Sequence, residues 1–322
     1  MSAPFDSVLL TGFGGPTPGC CRRHDECPGE AYCYVENVVG GRTGGAGRIR
    51  EVAAHYARFG GFSPFSHFSQ KQAGALETYL AAAGSPMPVY VGFRFWTPYI
   101  REALAEMGRR GLRRALGVVL APHRAKVSWE AYQGSARAAR EEVGEGAPEV
   151  EFLETGWFDH PAFIEAIAGN VRRAAGEMGP ARFGAARLIF TAHSIPVTMA
   201  KVSPYREEFL RTAELAAEAV GAARYDVGFQ SSPEVPPGAW LEPDVAEVVR
   251  KAAGEGVRDV LLAPAGFICD HVEVLYDLDV EAREAAEGAG LGYFRAPTVG
   301  THPSFIAMLR DLVLARAGGR IA

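Results

Sequence analysis

Three carboxylates stand at a regular interval in the stretch 270–281, Asp-His-Val-Glu-Val-Leu-Tyr-Asp-Leu-Asp-Val-Glu. Glu273, Asp277 and Glu281 are spaced i, i+4 and i+8, which on an α-helix puts them on one face. Val274, Leu275 and Leu278 fall on other faces and suit a core. Like charges at i, i+4 destabilise a helix by about 0.2–0.5 kcal/mol per pair, and no basic residue lies within the row to offset that. Asp279 has Arg283 four residues on, an ordinary surface pair. One reading of the row is a solvated acidic face, with Glu273 completing a capping box begun by Asp270. The other is a track of hard oxygen ligands for a divalent cation. His193 is the second group with chemistry to offer. An imidazole titrates near neutrality, so it can act as a base or a metal ligand; its plain alternative is a packed, hydrogen-bonded side chain.

The elements that must position these groups alternate. Val260-Leu261-Leu262-Ala263 reads as a buried parallel strand ending at Pro264, with a Gly-containing turn and a helix after it. His193 follows the apolar run Arg187-Leu188-Ile189-Phe190-Thr191. Further strands are predicted at about 7–11, 89–93, 116–120, 149–153, 225–229 and 258–263. Helices of 10–15 residues are predicted between them, with a last one at about 303–316. This alternation argues for parallel sheets with helical crossovers. The fold class expected is α/β: two Rossmann-like domains, each a parallel sheet flanked by helices. The Gly/Pro-rich break Gly144-Glu145-Gly146-Ala147-Pro148 puts the boundary at 146/147, giving domains 1–146 and 147–322, and the last helix can pack back on the first domain. Ligands of such folds bind beyond the carboxyl ends of strands. Phe13, Arg94, His123, His193, Gln230 and Asp270 are all expected there. Residues 17–34 read as polar and irregular.

Composition excludes several classes. The 322 residues are 48% hydrophobic and 22% charged, with a formal net charge of −5 and dispersed basic residues, so no nucleic-acid partner is implied. No apolar run approaches the ~18 residues of a membrane span, and the N-terminal Met-Ser-Ala-Pro-Phe-Asp lacks a signal peptide's basic and apolar regions. A cytoplasmic monomer is expected. Four of the five cysteines, Cys20, Cys21, Cys27 and Cys33, fall on one short segment. In a reducing compartment such crowding points to metal more than to disulfides. The spacing is not that of a zinc ribbon; the four could supply all-thiolate ligation to a [2Fe–2S] cluster. Cys269 reads as a small buried hydrophobe.

Several blocks together carry a family resemblance: Val8-Leu9-Leu10 with Gly14-Gly15-Pro16; Gly60-Gly61-Phe62-Ser63-Pro64; Thr191-Ala192-His193-Ser194-Ile195-Pro196; Trp240-Leu241-Glu242-Pro243-Asp244; and Gly266-Phe267-Ile268-Cys269-Asp270-His271-Val272-Glu273. The chain resembles the ferrochelatases, which insert ferrous iron into a porphyrin, over residues 5 to 316. The resemblance implies a porphyrin cleft between the two domains, with Fe2+ and porphyrin as substrates. His193 matches the family's active-site histidine and Glu273 the glutamate facing it, the two sharing metal delivery and pyrrole proton removal. Asp277 and Glu281 match the acidic row leading outward. Phe13, Arg42, Ser63 and Arg124 are the candidate porphyrin contacts, and coproporphyrin III is the favoured substrate. Some relatives have an iron-ligating tyrosine where this chain has Phe13, which cannot ligate. The competing substrates are protoporphyrin IX and, for a cobalt or nickel chelatase, another tetrapyrrole. Within the family an iron–sulfur cluster usually uses C-terminal or internal cysteines, so an N-terminal set is a departure.

Overall fold

The computed structural model describes residues 5–19, 24–39, 45–154, 156–233, 236 and 238–318. Two four-stranded parallel sheets form. The first contains β1 (Ser7–Gly12), β2 (Val89–Phe93), β3 (Arg114–Val119) and β4 (Glu149–Phe152) in the order β2-β1-β3-β4. The second contains β5 (Arg187–His193), β6 (Tyr225–Gln230), β7 (Asp259–Ala263) and β8 (Gly292–Arg295) in the order β6-β5-β7-β8. The two orders are the same pattern. In each sheet the first strand is flanked on both sides by the next two, so the strand order reverses beside it. In open parallel sheets that reversal is where the crevice opens at the carboxyl edge. Phe13 follows β1, and His193 is the last residue of β5.

The chain divides into two compact units: residues up to Leu120 with Glu130–Glu154 and those from Leu309 on, and Ala121–Trp129 with Thr155–Met308. The strand expected to open the second domain, β4, pairs instead with β3, Phe152 lying opposite Gly117. A Cβ at Gly117 would fall 2.6 Å from the Phe152 ring, so only glycine leaves room for it. The helix Pro303–Arg316 ends in the first unit, where Arg316 donates to Glu151 at 2.8 Å and its guanidinium lies over Phe5.

Two elements depart from expectation. The segment read as irregular holds a helix, Glu30–Val39, which starts after Pro28-Gly29 and buries Cys33, Tyr34 and Val35. The short β8 was not foreseen, since its four residues are all half-buried and show no alternation.

The second unit's core fixes the acidic stretch. Val274, Leu278, Ala282 and Ala286 are fully buried at four-residue spacing, against Ile189, Val249, Val260 and Leu262. Val274, Leu278 and Ala282 are each one residue beyond a carboxylate of the row, so burial of one stripe orients its neighbour. Fully burying one such Leu or Val contributes about 1.5–3 kcal/mol, more than the row's self-repulsion costs. Leu278→Ala is expected to lower unfolding free energy by about 2–5 kcal/mol in denaturant titration; a loss under about 1 kcal/mol would mean the stripe is not what anchors this segment.

Candidate active site

Three backbone features bring His193 and Glu273 together. His193 closes β5 and is paired in register with Gln230, the last residue of β6. β7 stops earlier, at Ala263, and the chain after it crosses the end of β5. Gly266 makes the crossing: its N–H donates to the Thr191 carbonyl at 2.9 Å, and a Cβ there would lie 2.5 Å from the Ala192 Cβ. The helix Val272–Tyr276 then starts with Glu273 in its first turn. His193 Nε2 stands 3.7 Å from Glu273 Oε2, with the two side chains 34% and 41% exposed, so both are open to a substrate.

The imidazole has a defined orientation. Its Nδ1 meets the Ser194 carbonyl, which can only accept, so Nδ1–H is the donor there; in the neutral imidazole Nε2, on the side of Glu273, then carries the lone pair. Tyr205 donates its hydroxyl to the His193 carbonyl at 2.8 Å. His271 is a third member that the sequence reading left out: its Nδ1 is 3.9 Å from Glu273 Oε2, and burial pushes its pKa down, partly opposed by Glu273.

The row beyond Glu273 is not one regular helix. A π-helical turn, Asp277–Ala282, follows Val272–Tyr276 and carries both Asp277 and Glu281. Asp270 does not cap it. His271 occupies the N-cap position without a side-chain cap bond, and Asp270 instead accepts from Arg295 at 3.1 Å. Asp279 is likewise held by Arg295, through bonds of 2.7 and 2.8 Å, more than by Arg283 at 3.9 Å. Among the described residues neither Asp277 nor Glu281 has an ion pair. Burial pushes the Asp277 carboxyl up to about 8, against the Ser231 hydrogen bond that favours its ionised form, and with Glu273 and Glu281 adding to the rise. Glu281 is raised by burial and by Asp244 and Glu284. It lines a surface pocket of about 620 Å³ with Arg250 and Glu284.

The remaining candidates are placed unit by unit. In the first, Phe13 is half-buried with its ring 4.7 Å from Phe95 and 6.2 Å from Tyr34. Phe62 is half-buried, whereas Phe95 and Trp96 belong to the core. Ser63 is buried, and its hydroxyl accepts from the Phe65 N–H at 3.4 Å. The glycines after β1 serve packing: Gly14 has φ +94°, and a Cβ at Gly15 would lie 2.6 Å from that of Ser63. In the second unit Arg124 pairs with the buried Glu208, Nε donating at 2.6 Å and the backbone N–H at 2.7 Å. His123 is core rather than a crevice residue; it is buried against Tyr205 and Phe209, and burial drives its pKa down to about 3. Arg42 lies outside the described residues.

Comparison with known proteins identifies the family. The Ferrochelatase family model matches residues 45–317. The chain belongs to the ferrochelatase family. It is 38% identical over 318 residues to a ferrochelatase of Rhodopirellula baltica, covering 98% of this chain and 87% of that one. It is 37% identical over 318 residues to the coproporphyrin III ferrochelatase of Mycolicibacterium smegmatis, covering 96% and 89%. Among solved structures, SirB from Bacillus subtilis with Fe3+ shares the fold at a TM-score of 0.54 and 14% identity, covering 78% of this chain and 92% of that one. A multi-domain protein of Deinococcus radiodurans with structural similarity to chelatases matches at 0.55 and 16%, covering 99% of this chain, which spans 56% of that one.

The enzyme is thus a metal chelatase of haem biosynthesis, and iron is its substrate. An iron–sulfur cluster gets no support from the described residues. Cys20 and Cys21 lie outside them; Cys27 is exposed and Cys33 is 1% exposed within a helix. Among the described residues no group of three His, Cys, Asp or Glu side chains could hold a metal ion.

The raised Asp277 carboxyl has a measurable consequence. Its folded pKa, about 8, exceeds the 3.8 of a free aspartate, so its stability contribution is present at low pH and is lost as pH rises toward 8. For metal-free enzyme, Asp277→Asn is expected to be more stable than wild type at pH 7–8. The variant should also lose part of the wild-type decline between about pH 4 and 8, a decline of at most about 1.4 kcal/mol per pH unit. A variant less stable than wild type at pH 8 would contradict the buried, uncompensated placement.

Proposed function

We propose that this ferrochelatase inserts Fe2+ into coproporphyrin III, with His193 and Glu273 as the reacting pair. Insertion must shed the cation's water and remove two pyrrole N–H protons. Glu281, Asp277 and Glu273 offer hard oxygen ligands in sequence, suited to pass a ferrous ion inward. His193 Nε2, with its lone pair toward Glu273, can accept a pyrrole proton. The observation carrying this assignment is the 3.7 Å approach of Nε2 to a carboxylate that has no cationic partner other than histidine among the described residues. Phe13 is assigned to the macrocycle face, and Ser63, Arg42 and Arg124 to its carboxylates. Nε and one terminal nitrogen of Arg124 hold Glu208, and its other terminal nitrogen has no ion-pair partner among the described residues.

The choice of coproporphyrin III is supported by relatives 37–39% identical that carry that name. Among the described residues no helix is long and apolar enough to cross a membrane. The reading places the enzyme in the cytoplasm, as a monomer, where Fe2+ and thiols stay reduced.

Turnover with coproporphyrin III is expected to exceed that with protoporphyrin IX under equal conditions; a strong preference for protoporphyrin IX would overturn the substrate assignment. His193→Ala is expected to lower kcat by about 10²–10⁴-fold with an unchanged circular dichroism spectrum. Glu273→Gln should lose turnover while still binding porphyrin, read by quenching of intrinsic fluorescence. Turnover at the wild-type rate by His193→Ala, or failure of Glu273→Gln to bind porphyrin, would remove that residue from its role.

A further inference from the structure

Ser231 follows β6 directly and has φ +65°, which makes it the one non-glycine residue with positive φ among the described residues. That region brings Cβ against the backbone, and glycine is the residue that occupies it freely. A serine kept there implies that its side chain is needed in the place the turn gives it. The hydroxyl donates to Asp277 Oδ2.

Gln230, immediately before it, binds the same atom. Thr191 donates its hydroxyl to Gln230 Oε1 at 3.0 Å, and this fixes the amide orientation. Gln230 Nε2 then points at Asp277 Oδ2, 3.3 Å away, and at the Glu273 carbonyl, 3.4 Å away. Both donors act on Oδ2, so Oδ1 is left without a hydrogen-bond partner among the described residues. Gln230 is 1% exposed and sits in register with His193, so this anchor is as rigid as the sheet itself.

We propose that Ser231 is a positioning residue for the iron path: it holds Asp277 by Oδ2 so that Oδ1 is left as the ligating oxygen, and its left-handed backbone exists to place that hydroxyl. This rests on the reading of Asp277 as an iron-relay carboxylate. Groups that orient a metal ligand through a hydrogen bond typically change metal affinity or activity by about 10–100-fold when removed. The hydroxyl and the backbone conformation make opposite contributions, and substitution separates them. Glycine removes the hydroxyl and suits the backbone; alanine removes the hydroxyl and keeps the backbone disfavoured.

The test measures kcat, KM for Fe2+, KM for coproporphyrin III and the thermal midpoint for wild type, Ser231→Gly, Ser231→Ala and Asp277→Asn. Ser231→Gly is expected to melt at or above the wild-type midpoint and yet raise KM for Fe2+ about 10–100-fold, with KM for porphyrin unchanged. Ser231→Ala should show the same rise in KM for Fe2+ without the gain in midpoint. A wild-type KM for Fe2+ in Ser231→Gly, or equal loss toward both substrates in the two serine variants, would overturn the proposal. If Asp277→Asn raises KM for Fe2+ while Ser231→Gly does not, the positioning role alone fails. If Asp277→Asn leaves KM for Fe2+ unchanged, the relay reading of Asp277 fails and the positioning role with it.

Discussion

The partly buried guanidinium of Arg295 binds Asp279 through two parallel hydrogen bonds and Asp270 through a third. Burial opposes its charge, but the two carboxylates outweigh burial and hold it protonated. Residues 270–281 carry five carboxylates, and this one cation divides them. Asp270 and Asp279 are neutralised on the side of β8. Glu273, Asp277 and Glu281 are left without a guanidinium or ammonium partner among the described residues. Removing one partner of these part-buried pairs would leave the other charge uncompensated, so the division is built into the fold. A row that stays uncompensated while its neighbours are paired is available to a cation from outside.

The sheet supplies the other half of the site. The reversal of strand order beside β5 opens the carboxyl edge at His193, and Gly266 lets the chain cross that edge close enough for the next helix to present Glu273. Tyr205 and the Ser194 carbonyl hold His193 from behind. A parallel sheet therefore fixes His193, while Val274, Leu278 and Ala282 fix the carboxylate face by burying the stripe beside it. The groups proposed to handle the metal are set by packing on two sides and by hydrogen bonds at their roots.

Much of this was legible in the residues. Apolar runs bounded by glycine and proline marked seven of the eight strands. The position of His193 beyond such a run, and the four-residue spacing of the row, pointed to the pair before any coordinates. What stayed hidden was long-range. Nothing near Ser231 announces that it binds Asp277, 46 residues away. Arg295 sits on a four-residue edge strand with no alternation, so neither β8 nor its role as the carboxylates' partner could be read. Asp270 looked like a helix cap because capping is local, but the distant Arg295 offers its carboxylate a full cation as well as a donor. The helix Glu30–Val39 was masked by the polar residues before it, although Cys33, Tyr34 and Val35 are what it buries.

The central claim is that the unpaired row, and not its paired neighbours, receives the metal. Anaerobic diffusion of Co2+, a neighbour of Fe2+ in divalent affinity, into crystals of the enzyme and an anomalous difference map at the cobalt edge would locate it. The account predicts density within bonding distance of Glu273 or His193, or of Asp277 Oδ1. Cobalt found only at Asp270 and Asp279, with Arg295 displaced, or only at sites remote from the row, would contradict it.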